Sequence, residues 1–534
     1  MKIFLELLHF FKSRYPESLE FFSPINPINL INQTDPIAGL SFNSKNIKSG
    51  EVFIALAGHK LDGRNYIQQA IDNGASGILI EILEHENLEE LIVKFKVNLN
   101  KIFLIIKNLK KYLSSLAFYC EGFENLENFK KPIFAVTGTN GKTTVSMLLA
   151  QFFNGFKSNK NNKDNKNYKC AVIGTLGAGF LNPEGDIKNL EDTQMTTPDA
   201  LSLARLIKKL DSQGAEIFSM EASSHALDQH RLSALPISTA IFTNLTQDHL
   251  DYHENMANYA MAKSLLFKFE SLKNAVLNLD DNYCPVMETA CLENLNLKNK
   301  IIKFSLGYKE EHKKNADVCV LSFDQNQNGF KNLKIKTPLG ILETDLFLMG
   351  LFNLSNYLAV IGALILEGFS LDEIKTQTPK LKTPLGRMEV HTRPGLATII
   401  IDYAHTPDAI EKALISLRSH LGAHGKLWIV FGCGGDRDRT KRPKMAEVAE
   451  CLADFIIVTE DNSRFESPAQ IKSDIFAGFK NKQIKYIERR DQAIRFACEK
   501  SSPEDLILLA GKGHEKYLEQ QGVRNYFDER DYIF

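Results

Sequence analysis

The stretch that decides the fold reads Gly138-Thr139-Asn140-Gly141-Lys142-Thr143-Thr144, and it follows an apolar run at 133–136. A helical pattern at 145–153 comes directly after it. A buried strand, a glycine-rich turn and then a helix are the context that a phosphate-binding loop requires. Glycines let backbone N–H groups face an anion, and the start of the helix adds positive potential. Lys142 would neutralise the β- and γ-phosphates of a nucleotide, and Thr143 would offer a hydroxyl to Mg²⁺.

The loop departs from the usual phosphate-loop pattern at one position. Val136 stands where that pattern has its first glycine. A plain glycine turn between strand and helix is the alternative, but a Lys-Thr-Thr run has no packing purpose there.

Short apolar runs alternate with helical stretches along the rest of the chain. Examples of the apolar runs are 51–57, 240–242, 398–401, 427–431 and 506–509. This alternation predicts an α/β fold of mostly parallel sheets with covering helices. A length of 534 residues suggests about three domains. We place them at 1–130, 131–383 and 384–534, with a P-loop ATPase domain in the centre and a Rossmann-like domain at the C-terminal end.

Composition and charge narrow the class of protein. Lys+Arg is 64 and Asp+Glu is 65, so no overall basic excess points to nucleic acid or to an anionic membrane. The eight cysteines form no C-x-x-C pair, which argues against a disulfide framework and a thiolate zinc site.

The N-terminal residues are apolar but include Glu6, so an amphipathic helix is predicted, not a signal peptide. The apolar stretch 357–366 is too short to span a bilayer, and we expect a cytoplasmic protein. The polar run 157–167 is predicted to be a solvated surface loop.

Three further motifs place an acid, an imidazole and a lysine after apolar strands. Met220-Glu221-Ala222-Ser223-Ser224-His225 ends one such strand, and TNLTQDHLDYH at 243–253 follows the next. Tyr259-Ala260-Met261-Ala262-Lys263 comes after these. Carboxylate, imidazole and lysine side chains at the ends of successive strands suit a magnesium–nucleotide site at the C-terminal edge of a sheet.

In this order, the motifs resemble the central domain of the Mur ligases. GLFNLSN at 350–356, GRME at 386–389 and DYAHTP at 402–407 resemble later signatures of the same family, so the resemblance covers nearly the whole chain. It implies an ATP-dependent ligase that works through an acyl-phosphate. The substrate carboxylate attacks the γ-phosphoryl group of ATP, and an incoming amine then displaces phosphate. Two Mg²⁺ ions are expected to neutralise the charge between the anions.

The resemblance also assigns roles to matching residues. Lys142, Glu221, His249 and Lys263 are the expected catalytic residues, and Lys263 is expected to carry a carbamate. The expected metal ligands are Thr143, Glu221, His249 and Lys263. The expected ATP contacts are Gly138, Thr139, Asn140, Gly141, Lys142, Thr143, Thr144, Asn353, Arg387 and Asp402. Because Arg387 and Asp402 lie beyond the central domain, the resemblance implies that domain closure completes the ATP site.

In the first domain, the segment 40–59 resembles the uridine-nucleotide pocket of the ligases that act on UDP-N-acetylmuramoyl-dipeptide. Asn43-Ser44-Lys45 stands where the family often shows Asp-Ser-Arg. The residues expected to contact this nucleotide-peptide substrate are Phe42, Ser44, His59, Thr196, Thr197, Ser223, Gln229 and Arg231.

The third domain carries the signatures of the ligases that add the third residue of the bacterial cell-wall peptide. These are GCGGDR at 432–437 and AGKGHE at 510–515, while Asp461-Asn462-Ser463-Arg464 stands where the diaminopimelate-adding enzymes have Asp-Asn-Pro-Arg. The added residue is therefore expected to be meso-diaminopimelate, with L-lysine as the alternative. The expected amino-acid contacts are Arg437, Asp461, Asn462, Ser463, Arg464, Gly511 and Glu515.

Other classes of protein fit the sequence less well. His249 and His253 have a spacing that can bind zinc, but no H-E-x-x-H motif and no third ligand accompany them. Gly432-x-Gly434 hints at a dinucleotide fold, but Arg437 occupies the place of the third glycine. The folylpolyglutamate synthase branch shares the phosphate loop but lacks the UDP-binding first domain. The presence of Lys142, Glu221, His249 and Lys263 argues against a binding module without catalytic activity.

Overall fold

The computed structural model describes residues 2–22, 39–58, 62–95, 103–123, 126–155, 168–181, 190–297, 300–480 and 484–534. His59 and the predicted loop 157–167 lie outside these residues. The described chain forms three main sheets and one short hairpin. The α/β fold of three domains with mostly parallel sheets is confirmed, whereas the exact domain boundaries remain predictions.

The first sheet has five strands in the order β1-β5-β4-β3-β2, and only β1 runs antiparallel to its neighbour. The strands are β1 Leu19–Phe22, β2 Gly39–Ser41, β3 Glu51–Ala55, β4 Gly77–Ile82 and β5 Phe103–Lys107. The accompanying helices are α1 Lys2–Arg14, α2 Ile67–Asp72, α3 Leu88–Lys94 and α4 Leu113–Cys120. Every residue of β4 is buried, as expected for an inner strand of a sheet covered on both faces.

The second sheet has ten strands in the order β15-β14-β13-β12-β11-β10-β6-β9-β7-β8. The strands are β6 Ile133–Thr137, β7 Cys170–Gly174, β8 Gly177–Phe180, β9 Ile217–Glu221, β10 Thr239–Phe242, β11 Asn274–Asn278, β12 Ile301–Ser305, β13 Val318–Asn326, β14 Gly329–Thr337 and β15 Gly340–Leu346. The seven strands from β13 to β7 in this order are mutually parallel. At the edges, β14 pairs antiparallel with β13, β15 with β14, and β8 with β7.

The helices of this middle domain are α5 Lys142–Gly155, α6 Ala200–Ser212, α7 Ser224–Asp228, α8 Leu250–His253, α9 Met256–Ser264, α10 Cys284–Glu293, α11 Glu310–Asn315, α12 Leu351–Leu366 and α13 Leu371–Gln377. Helix α12 contains the apolar stretch 357–366 and is buried along most of its length against β11 and β12. A helix that is apolar all round belongs in a core. Among the described helices, none has the length and hydropathy needed to cross a bilayer.

The third sheet has six strands in the order β16-β17-β21-β18-β19-β20, and only β16 is antiparallel. The strands are β16 Glu389–His391, β17 Thr398–Asp402, β18 Leu427–Phe431, β19 Phe455–Val458, β20 Lys485–Tyr486 and β21 Leu506–Ala510, followed by the hairpin β22 Tyr517–Gln520 and β23 Val523–Tyr526. The helices are α14 Pro407–Arg418, α15 Lys441–Leu452, α16 Pro468–Phe476 and α17 Arg490–Lys500.

Short 3₁₀ turns complete the described secondary structure. They are Pro16–Ser18, Gly63–Tyr66, Leu109–Tyr112, Leu126–Asn128, Leu265–Lys268, Leu295–Leu297, Thr378–Lys380 and Glu529–Tyr532.

A buried ion pair ties the C-terminal turn to the third sheet. Arg490 and Glu529 are both almost fully buried, and Arg490 Nη2 lies 2.6 Å from Glu529 Oε1. The same nitrogen donates to the carbonyl oxygen of Ala510 at 2.8 Å, at the end of β21. Removing the guanidinium would leave the Glu529 carboxylate buried without its partner.

We therefore expect Arg490→Met to lower the free energy of unfolding of the third domain by about 3–5 kcal/mol. Trp428 is the one tryptophan of the chain and lies on β18, so tryptophan fluorescence in a urea titration reports on this domain. The matched control is Arg489→Met, because Arg489 is exposed and pairs with Asp491 at the surface. That change should cost no more than about 1 kcal/mol. Equal losses from both changes would contradict a structural role for the buried pair.

Candidate active site

The phosphate loop joins β6 to α5 at the C-terminal edge of the middle sheet. Gly138 and Gly141 have φ angles of 150° and 86°. A Cβ atom on Gly138 would lie 1.9 Å from Thr243 Oγ1, and one on Gly141 would lie 2.3 Å from Asn356 Oδ1. Both positions therefore require glycine for backbone conformation and for space. Thr139 is anchored through its backbone N–H, which donates to the carbonyl oxygen of Asn244 at 2.8 Å.

Two lysines converge on one carbonyl group of this loop. Lys142 Nζ donates to the carbonyl oxygens of Gly138 and Thr139, both at 2.9 Å, and Lys263 Nζ donates to Gly138 at 2.8 Å. Lys263 is buried, and no ion pair joins it to a carboxylate of the described residues. Burial and the nearby charge of Lys142 lower the pKa of Lys263 well below its usual value. Lys142 itself is half-buried at the start of α5, less accessible than a loop lysine would be.

Oxygen donors meet beside the two lysines. Glu221 ends β9 and is buried, and its Oε1 accepts hydrogen bonds from Thr143 Oγ1 at 2.9 Å and from the backbone N–H of Thr175 at 2.8 Å. A hydroxyl and a carboxylate are the hard oxygen ligands that Mg²⁺ prefers. Within the described chain, no group of three His, Cys, Asp or Glu side chains is gathered as in an all-protein metal cage. This arrangement fits Mg²⁺ held by one or two side chains and by the phosphates of a nucleotide.

His249 lies at the start of α8 in a left-handed conformation, with φ of 53°. Its side chain is 48% exposed, and its Nε2 lies 3.5 Å from Asp248 Oδ2. His253 is buried, its Nε2 is 2.9 Å from Ser224 Oγ, and its ring stacks on Tyr259. The hydrogen-bond and ion-pair partners of the two histidines differ, but both rings lie beside the rings of His225 and Tyr259.

Four of the residues predicted to hold the nucleotide-peptide substrate form one hydrogen-bonded network. Thr197 Oγ1 donates to the carbonyl oxygen of Glu221 at 2.8 Å and accepts from the backbone N–H of Ser223 at 3.0 Å. Arg231 donates to the carbonyl oxygen of Thr197 at 2.8 Å and to Gln229 Oε1 at 2.7 Å. Thr196 lies beside this network, bonded to Thr175. The network is joined through Glu221 to the proposed metal site.

The predicted first-domain residues have local partners. Ser44 is buried and donates to Gln69 Oε1 at 2.7 Å, and Phe42 packs at the margin of the core. Arg205 of α6 donates to the carbonyl oxygen of Leu40 at 2.8 Å, so β2 is linked directly to the middle domain.

The remaining predicted nucleotide contacts come from α12 and from the third domain. Asn353 is buried and donates to the carbonyl oxygen of Met349 at 2.8 Å. Arg387 lies over the ring of Tyr403, and its Nε is buried without a partner among the described residues. Asp402 accepts from the backbone N–H of Met388 at 2.7 Å. Burial lowers the pKa of Lys142; the nearby charge of Glu221 opposes this effect, and the charge of Arg387 adds to it.

The predicted amino-acid residues gather at the C-terminal edge of the third sheet. Asn462 Nδ2 donates to Glu515 Oε2 at 2.8 Å, and a Cβ atom on Gly511 would lie 2.9 Å from Asp461 Oδ2. Arg464 Nη1 donates to the carbonyl oxygen of Gly435 at 2.8 Å. Ser463 is buried, and Arg437 lies near the same turn, with its Cγ 4.0 Å from a Cβ atom built on Gly434.

Some residues at these sites were not predicted. Asp248 lies near both lysines, and Thr175 bonds Glu221 with its backbone N–H and its hydroxyl. Lys512 is fully buried against Asn462 and Glu515. Asp248 and Lys512 belong to sequence motifs described above, and Thr175 directly follows β7. Their positions within a motif or at the end of a strand could have identified them as candidates.

One large cavity of the described residues lies away from this site. It has a volume of about 1110 Å³ and includes Pro132, Ser238, Lys273 and Lys300, which precede strands at the opposite edge of the middle sheet. Its described lining contains none of the predicted site residues. The predicted site residues therefore lie at the C-terminal strand ends and not in this cavity.

Comparison with known families gives three matches that follow the order of the domains. The family model "Mur ligase family, catalytic domain" matches residues 36–116, "Mur ligase middle domain" matches 136–364, and "Mur ligase, glutamate ligase domain" matches 386–513.

Individual relatives extend over almost the whole chain. A Haemophilus influenzae protein named UDP-N-acetylmuramoyl-L-alanyl-D-glutamate--2,6-diaminopimelate ligase is 40% identical over 89% of this chain and 91% of its own length. A Pseudomonas putida protein of the same name is 38% identical over 95% of this chain and 96% of its own. A solved structure of an enzyme with that name has a TM-score of 0.66 and 34% identity, covering 93% of each chain. On these findings, the chain belongs to the Mur ligase family.

Proposed function

We propose that this chain is the ATP-dependent ligase that joins meso-diaminopimelate to UDP-N-acetylmuramoyl-L-alanyl-D-glutamate during peptidoglycan synthesis. The main support is the name shared by relatives of 40% and 38% identity. Asp461 and Glu515 provide two carboxylates, and Arg464 of the same turn provides a guanidinium. These groups suit a ligand that carries both positive and negative charges. L-Lysine is the alternative added residue.

The chemistry has two steps. A carboxylate oxygen of the dipeptide attacks the γ-phosphorus of ATP, the bond from that phosphorus to the bridging oxygen breaks, and ADP leaves. The amine nitrogen of the amino acid then attacks the acyl carbon, phosphate leaves, and the amine loses its proton to solvent or to a nearby base. Positioning and charge stabilisation supply most of the catalysis in such phosphoryl transfers.

Each step needs cations beside the phosphates. Lys142 would leave the loop carbonyls and turn to the β- and γ-phosphates, while the loop N–H groups hold the same oxygens. The Nε of Arg387 is buried and has no partner among the described residues, and a phosphate or the ribose would satisfy it. Mg²⁺, when bound, would neutralise charge between the anions. Thr143, Glu221 and His249 would hold it.

Lys263 fits a carbamate better than a free ammonium. It is buried beside a second lysine, and no carboxylate of the described residues pairs with it. An uncompensated ammonium is costly in this position. A carbamate would reverse the charge and supply oxygen atoms to a hard cation.

The middle network places the acyl substrate next to this centre. Thr197 is bonded to the strand end that carries Glu221, so a substrate held by Thr197, Ser223 and Arg231 lies close to the proposed metal site. We also propose that the protein works in the cytoplasm on small-molecule substrates, without nucleic acid.

For Lys263→Ala, we expect loss of most turnover, because the carbamate oxygens are removed. Bicarbonate or a short carboxylic acid should restore part of the rate, measured as ADP release in the presence of the dipeptide substrate. Lys263→Arg should stay inactive, because a guanidinium does not form the carbamate. Full activity of the arginine variant would contradict the proposal that Lys263 carries a carbamate.

For Lys142→Ala, we expect a fold that is retained and chemistry that is nearly abolished. Within the described part of the chain, the side chain bonds loop carbonyls alone, so its loss removes no core packing. The transferring phosphoryl group, however, loses several kcal/mol of stabilisation, on the order of a hundredfold or more in kcat. Circular dichroism and single-turnover kinetics separate the two effects. An unfolded variant would mean that Lys142 is structural.

For the added amino acid, we expect the wild-type protein to turn over diaminopimelate at least roughly tenfold faster than lysine, because lysine leaves Arg464 unpaired at a cost of about 2–4 kcal/mol. Arg464→Ala should erase most of this ratio. Arg524→Ala is the matched control, since Arg524 is an exposed arginine of the neighbouring hairpin that pairs with Glu519. Equal turnover of both amino acids by the wild type would exclude the diaminopimelate assignment and leave a general ligase.

A further inference from the structure

Lys512 is a fully buried lysine in the loop after β21. Its Nζ lies 3.1 Å from Asn462 Oδ1, 3.1 Å from Glu515 Oε2 and 3.4 Å from Asp461 Oδ1. All three partners belong to the proposed amino-acid pocket, and the proposed function gives Lys512 itself no role. An ammonium is stable in such a place only if its neighbours compensate its charge.

These contacts fix the orientation of the Asn462 amide. A lysine ammonium only donates hydrogen bonds, so the Asn462 oxygen must face it. The same oxygen accepts from the backbone N–H of Glu519 at 2.9 Å, and the amide nitrogen donates to Glu515 Oε2 at 2.8 Å. Lys512 and the Glu519 N–H together fix the orientation of the Asn462 amide, and Lys512 also holds the Glu515 carboxylate.

Lys512 also sets the charge of the pocket. Burial alone would raise the pKa of Asp461, but the charges of Lys512 and Arg490 outweigh this effect and lower it. Asp461 is therefore ionised at neutral pH. With Lys512 present, the Asp461–Glu515 pair carries one uncompensated negative charge, which matches one ammonium of a ligand.

We propose that Lys512 is a positioning residue for the incoming amino acid, which orients Asp461, Asn462 and Glu515 and disfavours ligands that lack a distal carboxylate. This inference rests on the proposed function. A diamino dicarboxylate brings one positive and one negative charge to the far end of the pocket, whereas lysine brings only a positive charge. Lys512 and Arg464 together balance the charges of Asp461 and Glu515, so the pocket suits a distal end with one charge of each sign. Without Lys512, the pocket would carry one net negative charge, which the lone ammonium of lysine would match.

The first test is Lys512→Met, which keeps most of the side-chain length and removes the charge. The KM for diaminopimelate should rise roughly tenfold or more, while kcat and the KM for ATP change by less than about threefold. The diaminopimelate-over-lysine ratio of kcat/KM should fall severalfold. Lys516→Met is the matched control, because Lys516 lies in the same loop with 46% of its side chain exposed and pairs with Asp528. It should behave as the wild type.

The second test covers the case in which Lys512→Met does not fold, since it leaves two carboxylates without their cation. Lys512→Met combined with Glu515→Gln removes one charge of each sign, and Trp428 fluorescence checks that the third domain is intact. In the double variant, the KM for diaminopimelate should rise by far less than the product of the rises in the two single variants. If Lys512→Met is unfolded, the double variant should still show a lower diaminopimelate-over-lysine ratio than Glu515→Gln alone.

The outcomes separate this inference from the proposed function. A wild type that selects diaminopimelate, together with folded Lys512 variants of unchanged KM and selectivity, would overturn the positioning role alone. A wild type that turns over neither diaminopimelate nor lysine would contradict the proposed function.

Discussion

The carbonyl oxygen of Gly138 accepts hydrogen bonds from two lysines, and the candidate active site of the middle domain is built around this contact. It exists because the loop turns tightly at a glycine that faces Thr243, which leaves no space for a side chain. Two ammonium groups side by side repel each other, and burial strengthens the repulsion. Binding of an anionic ligand would relieve this repulsion, and so would a change in the charge of Lys263. The loop is therefore suited to a nucleotide phosphate even in its unliganded form.

The parallel strands explain why distant motifs meet at this point. β9, β6 and β10 are neighbours in the sheet, and their C-terminal ends carry Glu221, the phosphate loop and the segment with Asp248 and His249. The third domain is fastened to this centre by His420, whose Nδ1 donates to the carbonyl oxygen of Asn326 and whose Nε2 accepts from the backbone N–H of Gly350. A carbonyl can only accept and an N–H can only donate, so the tautomer is fixed by these partners. The same contact lies at the start of α12, which carries Asn353.

Buried charge is the organising feature of the third domain. Arg442, Arg490 and Lys512 are fully buried, and each is paired with at least one carboxylate from another element. Such pairs give little net stability relative to apolar packing, but breaking one is costly, so they hold loops in one arrangement. The proposed amino-acid pocket is made from these loops. The conformation of these loops therefore depends on ion pairs as well as on the apolar core beneath them.

The sequence by itself determined the α/β class, the phosphate loop and the order of the motifs, because period, glycine placement and strand–turn–helix context are local properties. Residues 133–136, 398–401 and 427–431 all lie in strands of the structure, since continuous apolar runs of that length suit only buried strands or cores. Only the tertiary structure decided which residues share a partner. The convergence of Lys142 and Lys263, the bond between Thr143 and Glu221, and the burial of Lys512 join residues from separate elements. No local pattern encodes these contacts, because they arise when strands far apart in the chain become neighbours in a sheet.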